Sequence, residues 1–115
     1  MLSFSHRFHG HGSLRYVYKN GQAIRSARIT IKYTKNPRRV HSRFAVVVSK
    51  KVHKSAVGRN RIRRRLYEII RQELPKLGSP HDVVMLVFSS EVISMPQEEL
   101  YETVRQLFIS SGLYK

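Results

Sequence analysis

The sequence contains no cysteine and no tryptophan, and its first 67 residues contain no aspartate or glutamate. Without cysteine, the chain can form neither a disulfide framework nor a thiolate zinc site. The longest apolar runs, Phe44–Val48 and Val83–Phe88, are far shorter than the roughly 20 residues that cross a bilayer. No apolar run typical of a signal peptide follows the N-terminus. We therefore expect a cytoplasmic protein.

Positively charged residues dominate the composition. The chain has 22 lysines and arginines, 7 acidic residues and a net charge of +15. The first 67 residues hold 18 of the basic side chains, whereas residues 68–115 hold four basic and all seven acidic ones. Such a one-sided distribution repels itself and favours a polyanionic partner. Because no run is long enough to span a membrane, we expect nucleic acid. Six tyrosines and five phenylalanines supply surfaces on which bases can stack.

Hydrophobic periodicity predicts three helices in one domain of 115 residues, preceded by a flexible N-terminal arm over residues 1–12. A short helix over Leu14–Asn20 has Ser13 as its candidate N-cap and Gly21 as its stop. A longer helix is predicted from Ala56 to Leu74, ended by proline and glycine. A capping box of Ser94 and Gln97 opens the last helix, which runs to about Ser110 and is ended by Gly112.

Three strands are predicted over residues 28–34, Phe44–Ser49 and Val83–Phe88. The second strand is apolar throughout, which favours a central place in the sheet. The element order is therefore α-β-β-α-β-α. The stretch 44–88 forms a strand–helix–strand unit, so its strands should be parallel neighbours. The general rule for such units favours a right-handed crossover.

The helix over residues 56–74 carries the strongest functional signal. Its narrow apolar stripe consists of Ile62, Leu66, Ile69 and Ile70. Three arginines flank that stripe: Arg59, Arg63 and Arg65. The far side holds Asn60, Arg61, Arg64, Tyr67 and Arg71.

Most runs of charged residues are merely solvated helix faces, but such faces usually alternate in sign to gain i,i+4 pairs. Cations at a helix N-terminus oppose the macrodipole, whereas a bound phosphate would complement both the dipole and the arginines.

Two segments together resemble a known family. The strand end Phe44-Ala-Val-Val-Val-Ser-Lys-Lys-Val is followed by Ala56-Val-Gly-Arg-Asn-Arg-Ile-Arg-Arg-Arg-Leu66, which is similar to the signature of the bacterial ribonuclease P protein component. The resemblance extends from about Leu14 to Lys115.

The resemblance implies an accessory subunit of an endoribonuclease whose RNA subunit, with Mg²⁺, removes the 5′ leader of precursor tRNA. The catalytic site would lie in the RNA, and Mg²⁺ would be bound mainly by the RNA and the substrate. The implied fold is α+β, an α/β sandwich with a left-handed β-α-β crossover through the arginine-rich helix. That hand contradicts the general rule, and we follow the resemblance.

The resemblance also assigns roles by position. The expected contacts to the RNA subunit are Arg59, Asn60, Arg61, Arg63, Arg64 and Arg65. The expected leader-binding cleft comprises Leu14, Tyr18, Tyr33, Lys50, Lys51 and Ala56. Leu14 stands where the family has an aromatic residue, and Tyr33 or Lys32 could offset that loss, depending on strand register. Ordinary core packing is the alternative reading for Leu14 and Tyr18.

Two other functions stay open at this point. A different basic RNA-binding protein, such as a ribosomal protein, would share the charge pattern. A self-sufficient ribonuclease using His41 and His53 as acid and base is disfavoured, because no acidic residue in the first 67 positions could orient them. We predict no metal site on the protein, since His6, His9 and His11 lie on a glycine-flanked arm without fixed geometry.

Overall fold

The computed structural model describes residues 6, 8 and 11–114, without the side chains of His11 and Ser13. Most of the predicted arm, namely residues 1–5, 7, 9 and 10, lies outside the described residues. The elements are α1 (His11–Asn20), β1 (Gln22–Arg25), β2 (Ile29–Lys35), β3 (Arg43–Val48), α2 (Ala56–Glu73), β4 (His81–Val87) and α3 (Gln97–Ser111). Two 3-10 turns, Leu74–Lys76 and Ser90–Ile93, follow α2 and β4.

The four strands form one sheet in the order β1-β2-β4-β3. Strand β2 is antiparallel to β1 and to β4, and β3 is parallel to β4. The prediction of parallel neighbours on either side of α2 is therefore confirmed. The left hand of that crossover, which the resemblance implies, stays a prediction.

The prediction that the Phe44–Ser49 strand is central was wrong, because β3 forms an edge of the sheet. The apolar side chains of β3 are buried by helices that pack on the face of the sheet. They do not require a neighbouring strand on each side of β3. Strand β1 was missed altogether, since three of its four residues are exposed and only Ile24 is half-buried. Such a segment has no hydrophobic alternation to detect.

The main core lies between one face of the sheet and helices α2 and α3. The sheet contributes alternate residues, among them Ile29, Ile31, Phe44, Val46, Val83 and Met85. The helices contribute Ile62, Leu66, Ile69, Ile70, Leu100, Val104, Leu107 and Phe108. Helix α1 packs on the opposite face, over β2 and β4, with Val17 and Val84 fully buried. The sheet is therefore covered by two helices on one face and by one short helix on the other.

The helix starts correct two predicted caps. Helix α1 begins at His11, so Ser13 lies inside it and is not its N-cap. Helix α3 begins at Gln97, with Pro96 in the N-cap position, so the predicted cap at Ser94 was wrong. The Ser94 hydroxyl instead donates to the carbonyl of Glu91, 3.5 Å away, at the end of the preceding 3-10 turn.

The helix ends confirm two predicted stops. Gly112 ends α3 in the left-handed conformation at a φ of 73°. Gly21 ends α1 for a different reason, because a Cβ there would lie 2.5 Å from the carbonyl oxygen of Val17 and 3.2 Å from the backbone of Tyr33. Only glycine permits that close approach of helix and strand.

Candidate RNA interface

The N-terminal half of α2 is anchored by Ser55, whose hydroxyl accepts a hydrogen bond from the N–H of Gly58, 3.1 Å away. From this start the helix projects Asn60, Arg61 and Arg64 into solvent. Among the described residues, Arg61 and Arg64 have neither a hydrogen-bonding nor an ion-pair partner. Their guanidinium groups are thus available to an external anion.

The other arginines of the run are not equivalent to these two. Arg59 donates to the carbonyls of His53 and Lys54, at 3.0 and 2.8 Å, and so ties the start of α2 to the preceding connection. Arg63 donates to the side-chain oxygen of Asn60. These contacts orient the Arg-Asn-Arg segment, although they leave part of each side chain accessible.

Arg65 is engaged most fully within the protein. Its guanidinium donates to the carbonyls of Val92 and Met95, at 2.7 and 2.6 Å, and to the side-chain oxygen of Gln97 at 3.1 Å. Arginine satisfies several acceptors at once because its five donors form a fixed fork. Arg65 therefore holds α2 against the segment that joins β4 to α3.

Tyr67 does not project to the far side of α2 as the helical wheel predicted. Its ring is half-buried against the main core, and its hydroxyl accepts a hydrogen bond from the N–H of Val46, 3.1 Å away. Since β3 is an edge strand, that N–H points away from β4 and needs a partner. The tyrosine supplies it.

Arg61, Arg64 and Arg65 border an open concavity of about 430 Å³ with Glu68 and Gln97. Two of the three guanidinium groups on its rim have no partner among the described residues. Paired N–H donors of this kind bind phosphate oxygens well. Arg61 and Arg64 therefore give this concavity two guanidinium groups that can bind a phosphate, and Glu68 lies on the same rim.

The face of the sheet that carries α1 forms a second accessible surface, which we call the α1 face. Because α1 covers β2 and β4, the neighbouring part of β3 is left partly open, with Ala45 and Val47 half-buried. Leu86 of β4, which is paired with Val47, is also half-buried. These side chains form an apolar floor beside α1.

Leu14 and Tyr18 of α1 are both half-buried, and the core position of this helix is taken by Val17 instead. Lys32 lies below α1 and donates from Nζ to the carbonyl of Tyr18 at 3.3 Å, with Nζ 5.5 Å from the centre of that tyrosine's ring. Burial raises the pKa of the Tyr18 hydroxyl, so it stays a neutral donor and acceptor. Tyr18 and Lys32 thus place a ring and a cation together.

Strand register settles the choice between Lys32 and Tyr33. Lys32 pairs with Val84 and faces α1, whereas Tyr33 pairs with Val83 and packs against the main core. The Tyr33 hydroxyl donates to the side-chain oxygen of Gln22, 3.0 Å away. The prediction that Tyr33 joins Tyr18 in one cleft was therefore wrong, because successive side chains of a strand point to opposite faces.

Lys50, Lys51 and Ala56 lie on the connection from β3 to α2 and at the first position of α2, and all three are exposed. The two lysines follow directly on the C-terminal end of β3 and have no hydrogen-bonding or ion-pair partner among the described residues. They place two positive charges at the end of the apolar floor.

The opposite end of that floor is closed by a buried ion pair. Arg43 donates to both carboxylate oxygens of Asp82, at 2.9 and 2.7 Å, and Asn36 donates to the same group at 2.8 Å. The ring of Phe8 lies over Arg43, with its centre 4.9 Å from Cζ. His6 contacts the carbonyl of Ser42 at 2.9 Å. The chain's own N-terminal residues thus cover this end.

Most carboxylates of the described chain are used internally. Apart from Asp82, the paired groups are Glu68 with Arg71, Glu73 with Lys76, Glu91 and Glu99 with Arg28, and Glu102 with Arg105. No acidic side chain neutralises Arg61 or Arg64 among the residues that the structure describes. The positive potential of α2 therefore stays directed at solvent.

His41 and His53 lie before and after β3, at opposite ends of that strand. The ring of His41 is instead 4.8 Å from the ring of His6, measured between centres. The structure does not bring together the acid and base that a self-sufficient ribonuclease would need. No described helix is both long and apolar enough to cross a membrane.

The exposure of Phe88 was not predicted from the sequence. Phe88 was predicted to be the last residue of the third strand, but it directly follows β4 and is 62% exposed. The two serines that follow it are the only local signal that the apolar run ends there.

Comparison with known proteins identifies relatives along nearly the whole chain. A family model described as Ribonuclease P matches residues 2–111. A ribonuclease P protein component of a Synechocystis strain is 31% identical over 97 residues, covering 84% of this chain and 77% of the relative. One from a Prochlorococcus marinus strain is 35% identical over 121 residues, covering 95% and 94%.

Solved structures share the fold. The ribonuclease P protein of Staphylococcus aureus superposes with a TM-score of 0.84 at 18% identity, covering 96% of this chain and 98% of that one. The protein from Thermotoga maritima gives a TM-score of 0.78 at 22% identity, with 88% and 93% covered. At these identities the likeness concerns the architecture, which agrees with the mixed α+β sheet described above.

Proposed function

Because this chain belongs to the ribonuclease P protein family, we propose that it binds the catalytic RNA subunit through α2 and the 5′ leader of precursor tRNA along the α1 face. The observation that carries the proposal is the unpaired state of Arg61 and Arg64 on a helix whose other arginines are held internally. Both surfaces include residues that are exposed or half-buried.

The RNA subunit is the better partner for α2. A folded RNA presents closely spaced phosphates, and bidentate guanidinium contacts suit that geometry. Arg61 and Arg64 would make the direct contacts, with Asn60 beside them. Arg59, Arg63 and Arg65 would act mainly by holding the helix and its neighbours in place, since their donors already have partners.

The α1 face suits a single strand. It combines an apolar floor at Ala45 and Val47, the partly exposed ring of Tyr18, and the exposed lysines Lys50 and Lys51. Proteins bind single-stranded nucleic acid through such combinations of stacking surfaces and backbone-tracking cations. Leu14 would pack against a base without stacking, and Ala56 would border the same surface.

Cleavage itself is proposed to occur in the RNA subunit. The described residues include no group of three or more His, Asp or Glu side chains placed to hold a metal ion. We assign Mg²⁺ mainly to the RNA and the substrate, as the family resemblance implies. The protein would raise substrate affinity by adding contacts to the leader.

Reconstitution tests the proposal. The protein is added to the ribonuclease P RNA of the same organism and to precursor tRNA at low Mg²⁺, and leader removal is followed with time. We expect the protein to stimulate cleavage by the RNA and to cleave nothing alone. Absence of stimulation would contradict the proposal and favour another basic RNA-binding role, such as that of a ribosomal protein.

A further inference from the structure

Phe88 is an exposed aromatic residue that is not part of the hydrophobic core. Its N–H donates to the carbonyl of Arg28 at 2.8 Å, which extends the pairing of β2 with β4 by one residue. The strand alternation therefore continues through it, and Phe88 shares the α1 face with Leu86. Val87, directly before it, is buried in the main core, whereas Phe88 is 62% exposed.

Two lysines follow the strand position that lies beside Phe88. The pairing of Val48 with Val87 places Ser49 beside Phe88, and Lys50 and Lys51 follow directly. Both lysines are exposed and, among the described residues, unpaired. An accessible π-face beside free ammonium groups is the combination that binds a nucleotide of a single strand, with its base on the ring and its phosphate on the cations.

The two ends of the α1 face differ in what covers them. At the N-terminal end of β3, the guanidinium plane of Arg43 offers a stacking surface, but the ring of Phe8 already lies over it. At the C-terminal end of β3 and β4, the ring of Phe88 remains largely exposed. The accessible stacking position is therefore at the Phe88 end.

We propose that Phe88 is a stacking platform for one unpaired RNA base, whose flanking phosphate contacts Lys50 and Lys51. The inference rests on the proposed function, in which that strand is the 5′ leader. It adds a defined stacking position to the α1 face, at the C-terminal end of β4. Because every base has a π-face, the platform is tolerant of leader sequence.

The test compares Phe88→Ala, Phe88→Leu and Phe88→Trp in the reconstituted holoenzyme. Ile109→Ala is the matched control, because Ile109 is also a large exposed apolar side chain (47%) but lies on α3. Dissociation constants are measured for precursor tRNA with a leader of about ten nucleotides and for the same tRNA without a leader. Thermal unfolding verifies that each variant is folded.

We expect Phe88→Ala and Phe88→Leu to weaken binding of the leader-bearing tRNA by about 5- to 100-fold. Phe88→Trp and Ile109→Ala should bind as the wild type does, and the leaderless tRNA should be unaffected by every variant. Equal loss for both tRNAs, or wild-type affinity in Phe88→Leu, would overturn the platform.

A wild-type holoenzyme that does not distinguish the two tRNAs would contradict the leader-binding function itself. In that case, stacking on Phe88 is tested separately with a single-stranded RNA that contains 2-aminopurine. The fluorescence of 2-aminopurine is quenched when the base stacks on an aromatic ring. Quenching by the wild type that is lost in Phe88→Leu supports the platform, and equal quenching by both proteins overturns it.

Discussion

Arg43 and Asp82 form a two-point ion pair between adjacent parallel strands, with both side chains almost completely buried. Their register pairs them directly across β3 and β4. Asn36 completes the hydrogen bonding of the carboxylate. The pair therefore fixes the start of β3, the strand whose other end carries Lys50 and Lys51.

Asp82→Ala should lower the free energy of unfolding by about 3–5 kcal/mol, because it leaves the Arg43 charge buried without a counter-charge. Urea denaturation measures the change. The control is Glu91→Ala, which removes an exposed partner of Arg28 and should cost about 1 kcal/mol or less. If both variants lost a similar amount of unfolding free energy, the burial of the Arg43–Asp82 pair would make no contribution to stability.

Salt dependence distinguishes the arginines of α2. Arg61→Ala and Arg64→Ala should each reduce the slope of log affinity for the RNA subunit against log salt by about 0.7–0.9, the value for one lost phosphate contact. Arg71→Ala is a control, because Arg71 is paired with Glu68 on the same helix. An unchanged slope in both variants would contradict α2 as the main RNA contact.

Arg65→Met should affect the stability of the protein and not the salt dependence of RNA binding, unlike the changes at Arg61 and Arg64. It removes charged hydrogen bonds to the carbonyls of Val92 and Met95, so the free energy of unfolding should fall by about 1.5–3 kcal/mol. The salt slope of RNA binding should change little. A variant with wild-type stability and a reduced slope would instead make Arg65 a phosphate ligand.

These arginines illustrate what the sequence could and could not predict. Clustering and helical spacing were enough to place the run on a helix and to separate Ile62 from the charged surface. The function of Arg65 depends on a 3-10 turn after β4 that comes near α2 only in the folded chain. Local spacing contains no information about that approach, so all the arginines were expected to bind RNA.

Strand predictions had a similar limit. The apolar run that became β3 was correctly placed in the chain, but hydrophobicity does not distinguish burial by helices from burial between strands. The faces of Lys32 and Tyr33 depended on a register that one residue reverses. By contrast, α2, α3 and their glycine stop at Gly112 followed from long periodic patterns, and they were predicted to within a few residues.

Glu73 should make stability depend on pH. Burial alone raises the pKa of its carboxyl group, but hydrogen bonds from Tyr101, Tyr114 and Lys76 outweigh burial and hold the pKa below its ordinary value of 4.5. The unfolded chain then binds a proton at higher pH than the folded one. The stabilisation is complete above the unfolded value and is lost as pH falls through the folded pKa.

Glu73→Gln should therefore flatten the dependence of unfolding free energy on pH as the pH falls below about 5. Denaturation curves over that range measure it. Glu98→Gln, at an exposed position on α3, is the control for removal of one carboxylate charge. Parallel curves for Glu73→Gln and the wild type would mean that other carboxylates cause the acid sensitivity.

Gly58 and His53 should be coupled in stability. A Cβ at Gly58 would lie 2.1 Å from Cε1 of His53, so Gly58→Ala must displace that ring. Because the ring is the end of a half-buried side chain that can rotate, the change should cost about 1 kcal/mol. In a His53→Ala background the same change should stabilise by about 0.5–1 kcal/mol, because alanine favours a helix over glycine. A double-mutant cycle without coupling would contradict this contact.

The hydrogen bond from the N–H of Val46 to the hydroxyl of Tyr67 affects how readily molecules of the free protein associate through β3. An apolar edge strand such as β3 invites a strand from another molecule to extend the sheet, which is the first step toward fibres. The tyrosine hydroxyl occupies a donor in the middle of that edge. A newly made chain thus offers one fewer free backbone donor along this apolar edge to a strand of another molecule.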